Sequence, residues 1–144
     1  MKSRNLIPVA ALALLTVGGA VLAAEPEPTT LKAIMAGMRV EMSRIHEALW
    51  TEDFDTMSTA ARAVADHPHV SAEERTRIQG LLGPDFGGFV AADKAVHDAA
   101  VRLSEAAAAN DMDKSLKELD AVQTGCVACH TDYRERLLPA KTSP

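Results

Sequence analysis

The stretch that decides the fold is Thr124-Gly125-Cys126-Val127-Ala128-Cys129-His130-Thr131-Asp132-Tyr133-Arg134, near the C-terminus of a 144-residue chain. Residues three and four apart are neighbours on the surface of an α-helix, so Cys126, Cys129 and His130 would share one face. Side chains on one face of a helix can all bind the same planar ring. The spacing therefore predicts a helix that presents two thiols and an imidazole to the same group.

The order Cys-x-x-Cys-His is the signature of covalent haem attachment. The thiols of Cys126 and Cys129 can add to the two vinyl groups of a haem as thioethers, and the adjacent imidazole of His130 can bind the iron as its proximal ligand. We therefore predict one covalently bound haem c, with Cys126 and Cys129 as the attachment sites and His130 as an iron ligand.

A bare Cys-x-x-Cys would also fit a redox dithiol, half of a zinc site or a disulfide, and the histidine that follows directly is what favours haem. A haem-free thiol oxidoreductase remains an alternative from another functional class. Such motifs normally open a helix after a strand, where the helix N-terminus lowers the thiol pKa, whereas these cysteines lie deep within a predicted helix. The sequence shows no base and nucleophile pair, phosphate loop or second metal cluster, so no enzyme is predicted.

The N-terminus has the pattern of an export signal. Lys2 and Arg4 precede an apolar run over residues 6–21, and the small residues Ala23 and Ala24 follow. Cleavage is expected after one of these two alanines, and the sequence does not choose between them. An uncleaved anchor is the alternative, because the apolar run approaches the length of a bilayer crossing.

Removal of residues 1–24 would leave one domain, residues 25–144, in the periplasm. It takes away two of the 15 basic residues and none of the 20 acidic ones, so the net charge falls from −5 to −7. An acidic protein has no electrostatic reason to bind nucleic acid. No other stretch is long and apolar enough to span a membrane, so we expect a mature protein without a membrane anchor.

Apolar residues recur every three or four positions along the mature chain, which is typical of amphipathic helices. The sequence predicts long helices from Thr29 or Thr30 to about Trp50, from Asp53 to about Asp66, from Pro84 to Ala109 and from Asp111 or Asp113 past His130. A capping box over Ser71–Glu74 predicts a short helical piece that ends near Gly83. Four long helices with short connections favour an all-α fold, an antiparallel four-helix bundle with a C-terminal haem-binding helix.

The core predicted for this bundle is thin. Only five aromatic residues occur in the chain, and the third long helix ends in the alanine tract 106–109. A haem between the helices would supply the missing apolar bulk. The predicted core-facing side of the last helix includes both thiols and consists of Leu116, Leu119, Val122, Cys126, Cys129, Tyr133 and Leu137.

A bundle whose last helix carries Cys-x-x-Cys-His followed by Tyr133-Arg134 resembles the class II cytochromes c, the cytochrome c prime family and its low-spin relatives. The residues that carry the likeness are Phe89, the segment 106–113 and the segment 124–134, and a looser match covers the first helix and residues 53–56. The resemblance spans nearly all of the mature chain. It implies a periplasmic cytochrome that transfers single electrons between redox partner proteins.

The resemblance also assigns roles to individual residues. It implies that His130 is the proximal ligand, that Cys126 and Cys129 hold the haem, and that Arg134 lies near the haem edge, one turn beyond the histidine. Related bundles often dimerise through their first two helices, which leaves a homodimer open. The basic residue that often precedes the distal position by four is Leu31 here, a departure from the family.

In this family one position of the first helix faces the iron from the distal side. A methionine that binds the iron there gives a low-spin electron carrier, whereas a non-ligating apolar residue leaves a five-coordinate iron open to nitric oxide or carbon monoxide. Alignment on the turn at Thr51-Glu52 places Met35 at this position, with Met38 and Met42 as neighbouring candidates. Methionine also fills bundle cores without any ligand role. We therefore predict Met35 as the distal ligand and keep gas binding as the alternative.

The other four histidines are interpreted without a role at the iron. His46 lies about 16 Å beyond Met35 along the same helix, too far to share its iron, and is predicted as a rim or surface residue. His67-Pro68-His69 could bind a stray metal, but a solvated helix end is the favoured interpretation, and His97 is placed on a polar helix face.

Overall fold

The computed structural model describes residues 29–138, so the predicted signal segment 1–24 lies outside the described residues. This part of the chain is all-helical, as predicted, and contains no strand. Its helices are α1 (Leu31–Thr51), α2 (Phe54–Ala65), α3 (Ala72–Leu82), α4 (Phe86–Ala108) and α5 (Met112–Leu137), with a 3-10 turn at Gly83–Asp85 between α3 and α4. None of these helices is long and apolar enough to cross a membrane.

Three of the helices begin at the polar caps that the sequence predicts. The side chains of Thr30, Asp53 and Asp111 each accept a hydrogen bond from the backbone N–H three residues further on, at 3.2, 3.0 and 3.0 Å. These bonds satisfy donors that the first turn of a helix leaves unpaired. The turns after α1 and α4 place Glu52 and Asn110 at φ angles of 53° and 54°. Short polar segments thus separate α1 from α2 and α4 from α5.

The start of α3 corrects the predicted capping box. Ser71 Oγ accepts the Glu74 N–H at 3.2 Å, as predicted. The carboxylate of Glu74 does not return to the Ser71 N–H, which donates instead to the Thr29 carbonyl at 2.9 Å. Glu74 Oε1 accepts the Leu31 N–H at 3.0 Å, the first N–H of α1. The physical reason is the positive end of the α1 dipole, which attracts the carboxylate from a different helix.

Fully buried side chains concentrate at one end of the molecule, which we call the dense end. Its buried cluster consists of Ile45, Ala48, Met57, Ala60, Ala61, Val64, Ala65, Val96, Ala99, Ala100, Leu103, Ala107, Leu119 and Val122. Half of these residues are alanines, and small side chains let helix backbones approach closely. Ser58 Oγ donates to the Ser104 carbonyl at 3.0 Å across the junction of α2 and α4. The alanine-rich sequence therefore packs α2 and α4 tightly, and Phe54 is among the partly buried side chains that pack against this cluster.

The helices are neighbours in a fixed order. α1 packs against α2, α2 against α4, and α4 against α5, and α3 contacts α4 and α5. Over the described residues α1 and α5 make no comparable contact. The pairs α1 with α2, α2 with α4 and α4 with α5 are thus in close contact, whereas α1 and α5 are not.

One histidine links α1 to α5. His46 Nδ1 lies 2.8 Å from the Met42 carbonyl, and its Nε2 lies 2.9 Å from Gln123 Nε2 on α5. Because a carbonyl only accepts, Nδ1 carries the proton and Nε2 accepts from the Gln123 amide. His46 was predicted as a rim or surface residue, and it is a half-buried link between α1 and α5.

The other two histidine predictions are wrong. The side chain of His67 is only 15% exposed, and its Nε2 lies 3.4 Å from Asp93 on α4. His97 is half-buried, and its Nδ1 lies 2.8 Å from the Ala65 carbonyl at the end of α2. Both rings fill the junction between α2 and α4, where the flanking alanines leave room for a larger side chain.

Candidate haem site

Most of the predicted face of α5 points inward. Leu119 and Val122 are buried, and the side chains that follow on this face are half-buried: Cys126, Cys129, Tyr133 and Leu137. Leu116 is 46% exposed, so its predicted core position is wrong. It lies seven residues before Gln123 and shares the Gln123 stripe, which faces the side where α1 and α5 are not in contact.

The residue before the first cysteine fixes α5 against α4. A Cβ added to Gly125 would lie 2.8 Å from Val96 Cγ2, closer than real side chains approach. A second contact of this kind occurs further along, where a Cβ on Gly88 would lie 2.6 Å from the Tyr133 hydroxyl oxygen. The two glycines therefore allow a close approach of α4 to α5 on both sides of the cysteine segment.

Gly125→Ala is expected to destabilise the fold even though alanine favours helices. Overpacking against the branched side chain of Val96 costs about 1–3 kcal/mol, and the gain in helix propensity is at most about 1 kcal/mol. The matched control is Gly80→Ala on α3, where nothing lies within 4 Å of the added Cβ, and this change should stabilise by about 0.5–1 kcal/mol. Urea unfolding of both variants measures the difference, and a stabilised Gly125→Ala protein would contradict the close contact.

We call the region between α1 and α5 at the end opposite the dense end the cleft, because these two helices make no comparable contact over the described residues. The His46–Gln123 bond closes it on one side. On the other side α3 holds the first N–H of α1 through Glu74 and reaches the Leu137 carbonyl of α5 through Arg77 Nη1 at 3.4 Å. Between these links each helix extends for about 21–22 Å, at 1.5 Å per residue. The cleft is thus bordered by α1 and α5 along its length and by polar links at its two ends.

The α1 side of this cleft carries thioethers. Met35 and Met42 lie eleven and four residues before His46, and positions with these offsets share one stripe of a helix. Since the His46 ring reaches α5, the two methionines lie on the α5-facing side. Met38 lies on the neighbouring core-facing stripe, and all three methionines are half-buried.

The α5 side of the cleft carries the imidazole. His130 and Arg134 lie seven and eleven residues after Gln123, which places them on the stripe that faces α1. His130 is exposed and borders an open depression of about 330 Å³ that is lined by residues of α5 alone: Val127, His130, Thr131, Arg134 and Glu135. A depression along one helix is not a haem pocket, and the cleft between α1 and α5 has the donors on both sides.

The large buried cluster ends where the cysteine segment begins, and beyond it Ile34 of α1 and Ile78 and Leu82 of α3 are buried separately. Ile45, Val96 and Val122 are the last fully or nearly fully buried residues of their helices in the dense end, and Cys126 packs against this cluster as a half-buried side chain. The thiols of α5 and the methionines of α1 are only half-buried by the described helices. Two thiols and an adjacent imidazole are the groups that hold a covalent haem, and a thioether can supply a second iron ligand, so the residues present fit this group.

Three of the five aromatic residues form a wall beside the cysteines. The ring of Phe89 lies 5.5 Å from that of Tyr133 in an edge-on arrangement and 6.4 Å from the ring of Phe86. The guanidinium of Arg75 lies 5.1 Å above the Phe86 ring. These aromatic rings are half-buried, and they give this end of the molecule a flat apolar surface.

The environment of the thiols does not favour dithiol redox chemistry. Burial raises the pKa of Cys126 above its ordinary value. Burial also raises the pKa of Cys129, and the charges of Asp93, Cys126 and Asp132 add to this effect. A nucleophilic cysteine needs a lowered pKa, because the thiolate is the reactive form. Both thiols are therefore held in the less reactive form at neutral pH.

The distance along the helices bears on which methionine reaches the imidazole. His130 lies seven residues from Gln123, and Met38 lies eight residues from His46, whereas Met35 lies eleven. Counted from the His46–Gln123 bond, Met38 is therefore closer than Met35 to the position of His130 along the helices. Met35, by contrast, lies on the side of α1 that faces α5. Both features were hidden from the sequence, because they depend on the partner that His46 finds on α5.

No family model, curated protein or solved structure matches this chain. The chemistry of the site is therefore assigned from its own donor set and from the cleft between α1 and α5.

Proposed function

We propose that this chain is a periplasmic c-type cytochrome that carries one covalent haem c and passes single electrons between redox partner proteins. The observation that carries the proposal is the position of the Cys126–His130 segment on one side of an uncovered cleft whose other side presents methionine thioethers. A haem supplies reversible one-electron chemistry at its iron. The raised thiol pKa values support attachment over a thiol oxidoreductase.

The chain's own residues have distinct roles in this proposal. Cys126 and Cys129 would hold the haem through thioethers, and His130 would bind its iron as the proximal ligand. Met35 would bind the iron as the distal ligand, and Met38 is the competing candidate because of its position along α1. Arg134, one turn beyond His130, would place a positive charge near the haem edge.

We further propose that α1, α2, α4 and α5 form an antiparallel four-helix bundle. On α4 and α5 the facing positions are Gly88 with Tyr133, Val96 with Gly125, and Arg102 with Glu118 at 2.7 Å. Residue numbers rise on α4 as they fall on α5, which supports opposite directions. The bonds from Ser58 to Ser104 and from His97 to Ala65 show the same trend for α2 and α4. In this architecture α3 is an additional helix at one end.

The proposal also includes export of the chain before haem is attached. It further includes only a small structural change around the iron when an electron is transferred. The proposed mature domain is residues 25–144, released from a signal segment over residues 1–24. His130 and a methionine would both hold the iron, and the bound haem would supply one-electron chemistry without exchange of either ligand. The rigid dense end keeps the helices in place on one side of the site.

The test is covalent attachment. Protein made in the periplasm with a working cytochrome maturation system should keep its haem through acid extraction, with one haem per chain. Cys126→Ala and Cys129→Ala should each weaken or abolish attachment, whereas His130→Ala should leave the attachment sites and change the spectrum of the iron. Complete removal of haem from the unmutated protein by acid extraction would overturn the proposal.

A further inference from the structure

We propose that α3 acts as a brace that sets the width of the cleft between α1 and α5 and thereby controls whether the methionine segment of α1 reaches the iron. This inference rests on the proposed function, since it concerns the distal ligand. It starts from the observation that α3 binds the first turn of α1 and the last turn of α5 through one pair of charged side chains, Glu74 and Arg77.

The hold on α1 is direct. Glu74 Oε1 accepts the Leu31 N–H at 3.0 Å, and the Ser71 N–H donates to the Thr29 carbonyl at 2.9 Å. The side chain of Glu74 is only 11% exposed, so its bond to α1 is shielded from water. Leu31 lies one helical turn before Met35. Any movement of the methionine segment away from α5 must therefore break these bonds.

Arginine side chains link α3 to α5. Arg77 Nε and Nη2 donate to the two carboxylate oxygens of Glu74 at 2.7 and 2.9 Å, and Nη1 points to the Leu137 carbonyl at 3.4 Å. This fork keeps the pKa of Glu74 below its ordinary value, so the carboxylate stays charged at neutral pH. A second arginine, Arg136 of α5, donates to Asp85 at 2.9 Å and to the Leu82 carbonyl at 3.1 Å.

The brace itself is anchored in the protein. Ile78 and Leu82 on the inner side of α3 are each only 1% exposed, and α3 contacts both α4 and α5. Over the described residues α1 makes no comparable contact with either α5 or α3, so the bonds of Glu74 and Ser71 are what ties the start of α1 to α3. The His46–Gln123 bond then acts as the pivot, and the methionines lie between the pivot and the brace.

The experiment compares Glu74→Ala with Glu118→Ala in the holoprotein. Glu118 is a matched control, because its carboxylate is 10% exposed and pairs with Arg102 at 2.7 Å at the dense end, away from the cleft. Loss of a charge-assisted hydrogen bond shifts an opening equilibrium by roughly tenfold or more. Glu74→Ala should therefore raise the rate of carbon monoxide binding to the reduced iron by about that factor and increase the high-spin fraction. Glu118→Ala should change neither.

Amide hydrogen exchange over residues 31–42 provides a readout that does not depend on the iron. Glu74→Ala should speed exchange there by roughly tenfold relative to Glu118→Ala. If Glu74→Ala fails to fold, Glu74→Gln takes its place, since the amide oxygen can still accept the Leu31 N–H while the charge facing Arg77 is lost. Glu74→Gln should give a smaller change in the same direction.

The outcomes separate this inference from the proposed function. Faster exchange in α1 with an unchanged spectrum and unchanged carbon monoxide binding overturns the control of the distal ligand. Equal exchange in both variants overturns the brace. Absence of covalent haem overturns the proposed function, and the exchange comparison still decides whether α3 braces α1. An unmutated protein that is already high-spin removes Met35 as a ligand, and the carbon monoxide rates of the two variants still decide whether α3 restricts access.

Discussion

Met35→Ala is expected to convert a low-spin holoprotein into a high-spin one and to open its iron to carbon monoxide. The thioether of Met35 lies on the α5-facing stripe of α1, and alanine at this position has no atom that can bind iron. Ultraviolet-visible spectra of the oxidised and reduced protein, before and after addition of carbon monoxide, measure the change. The effect is expected to be nearly complete, because the variant would lack the proposed distal ligand altogether.

Met38→Ala and Met42→Ala are the controls for this prediction. Both side chains are half-buried and pack against the dense end, so their loss should lower the free energy of unfolding by about 2 kcal/mol, the low end for a buried methionine. Their spectra should stay low-spin. A high-spin spectrum for Met38→Ala alone would instead assign the distal ligand to Met38, which lies nearer the level of His130. An unmutated protein that binds carbon monoxide readily would make gas binding the function.

The second large effect is the loss of stability when haem is absent. The double variant Cys126→Ala, Cys129→Ala should unfold at a temperature lower than the holoprotein by more than about 10 °C and with reduced cooperativity. Removing a single buried aromatic side chain costs about 3–5 kcal/mol, and a haem is larger than any side chain. A covalent group that binds only the native state cannot dissociate from it.

Thermal unfolding followed by circular dichroism at 222 nm measures this difference in both forms. The single variant Gly80→Ala serves as a control for the precision of the melting temperatures, since its expected shift is small and positive. Identical melting curves for the apo and holo forms would show that side chains alone stabilise this end of the molecule.

Local features of the fold could be predicted from the sequence because they depend on nearby residues. Thr30, Asp53 and Asp111 cap helices at the predicted positions, since a cap needs only a polar side chain and the N–H three residues later. The inward face of α5 follows from helical periodicity, and only Leu116 departs from it. Local physics therefore determines the helices and most of their faces.

Features that link distant parts of the chain could not be predicted in this way. Glu74 has the sequence signature of a local capping box, and only the position of α1 makes the Leu31 N–H the better partner. Nothing in the sequence around His46 indicates that its partner is Gln123, which lies 77 residues away. Gly125 could be found as part of the motif, but its contact with Val96 depends on the register of α4 and α5. The cleft itself is a property of helix packing.

The uneven distribution of buried residues has a consequence for the order of folding. The dense end is built from neighbouring helices and alanine contacts, so it can form from the polypeptide alone, and contacts between successive helices form fast. The segment Cys126–His130 begins just beyond the last residue of that core, Val122. Under the proposed function, a newly exported chain would therefore hold its helices together at one end before its thiols are joined to haem.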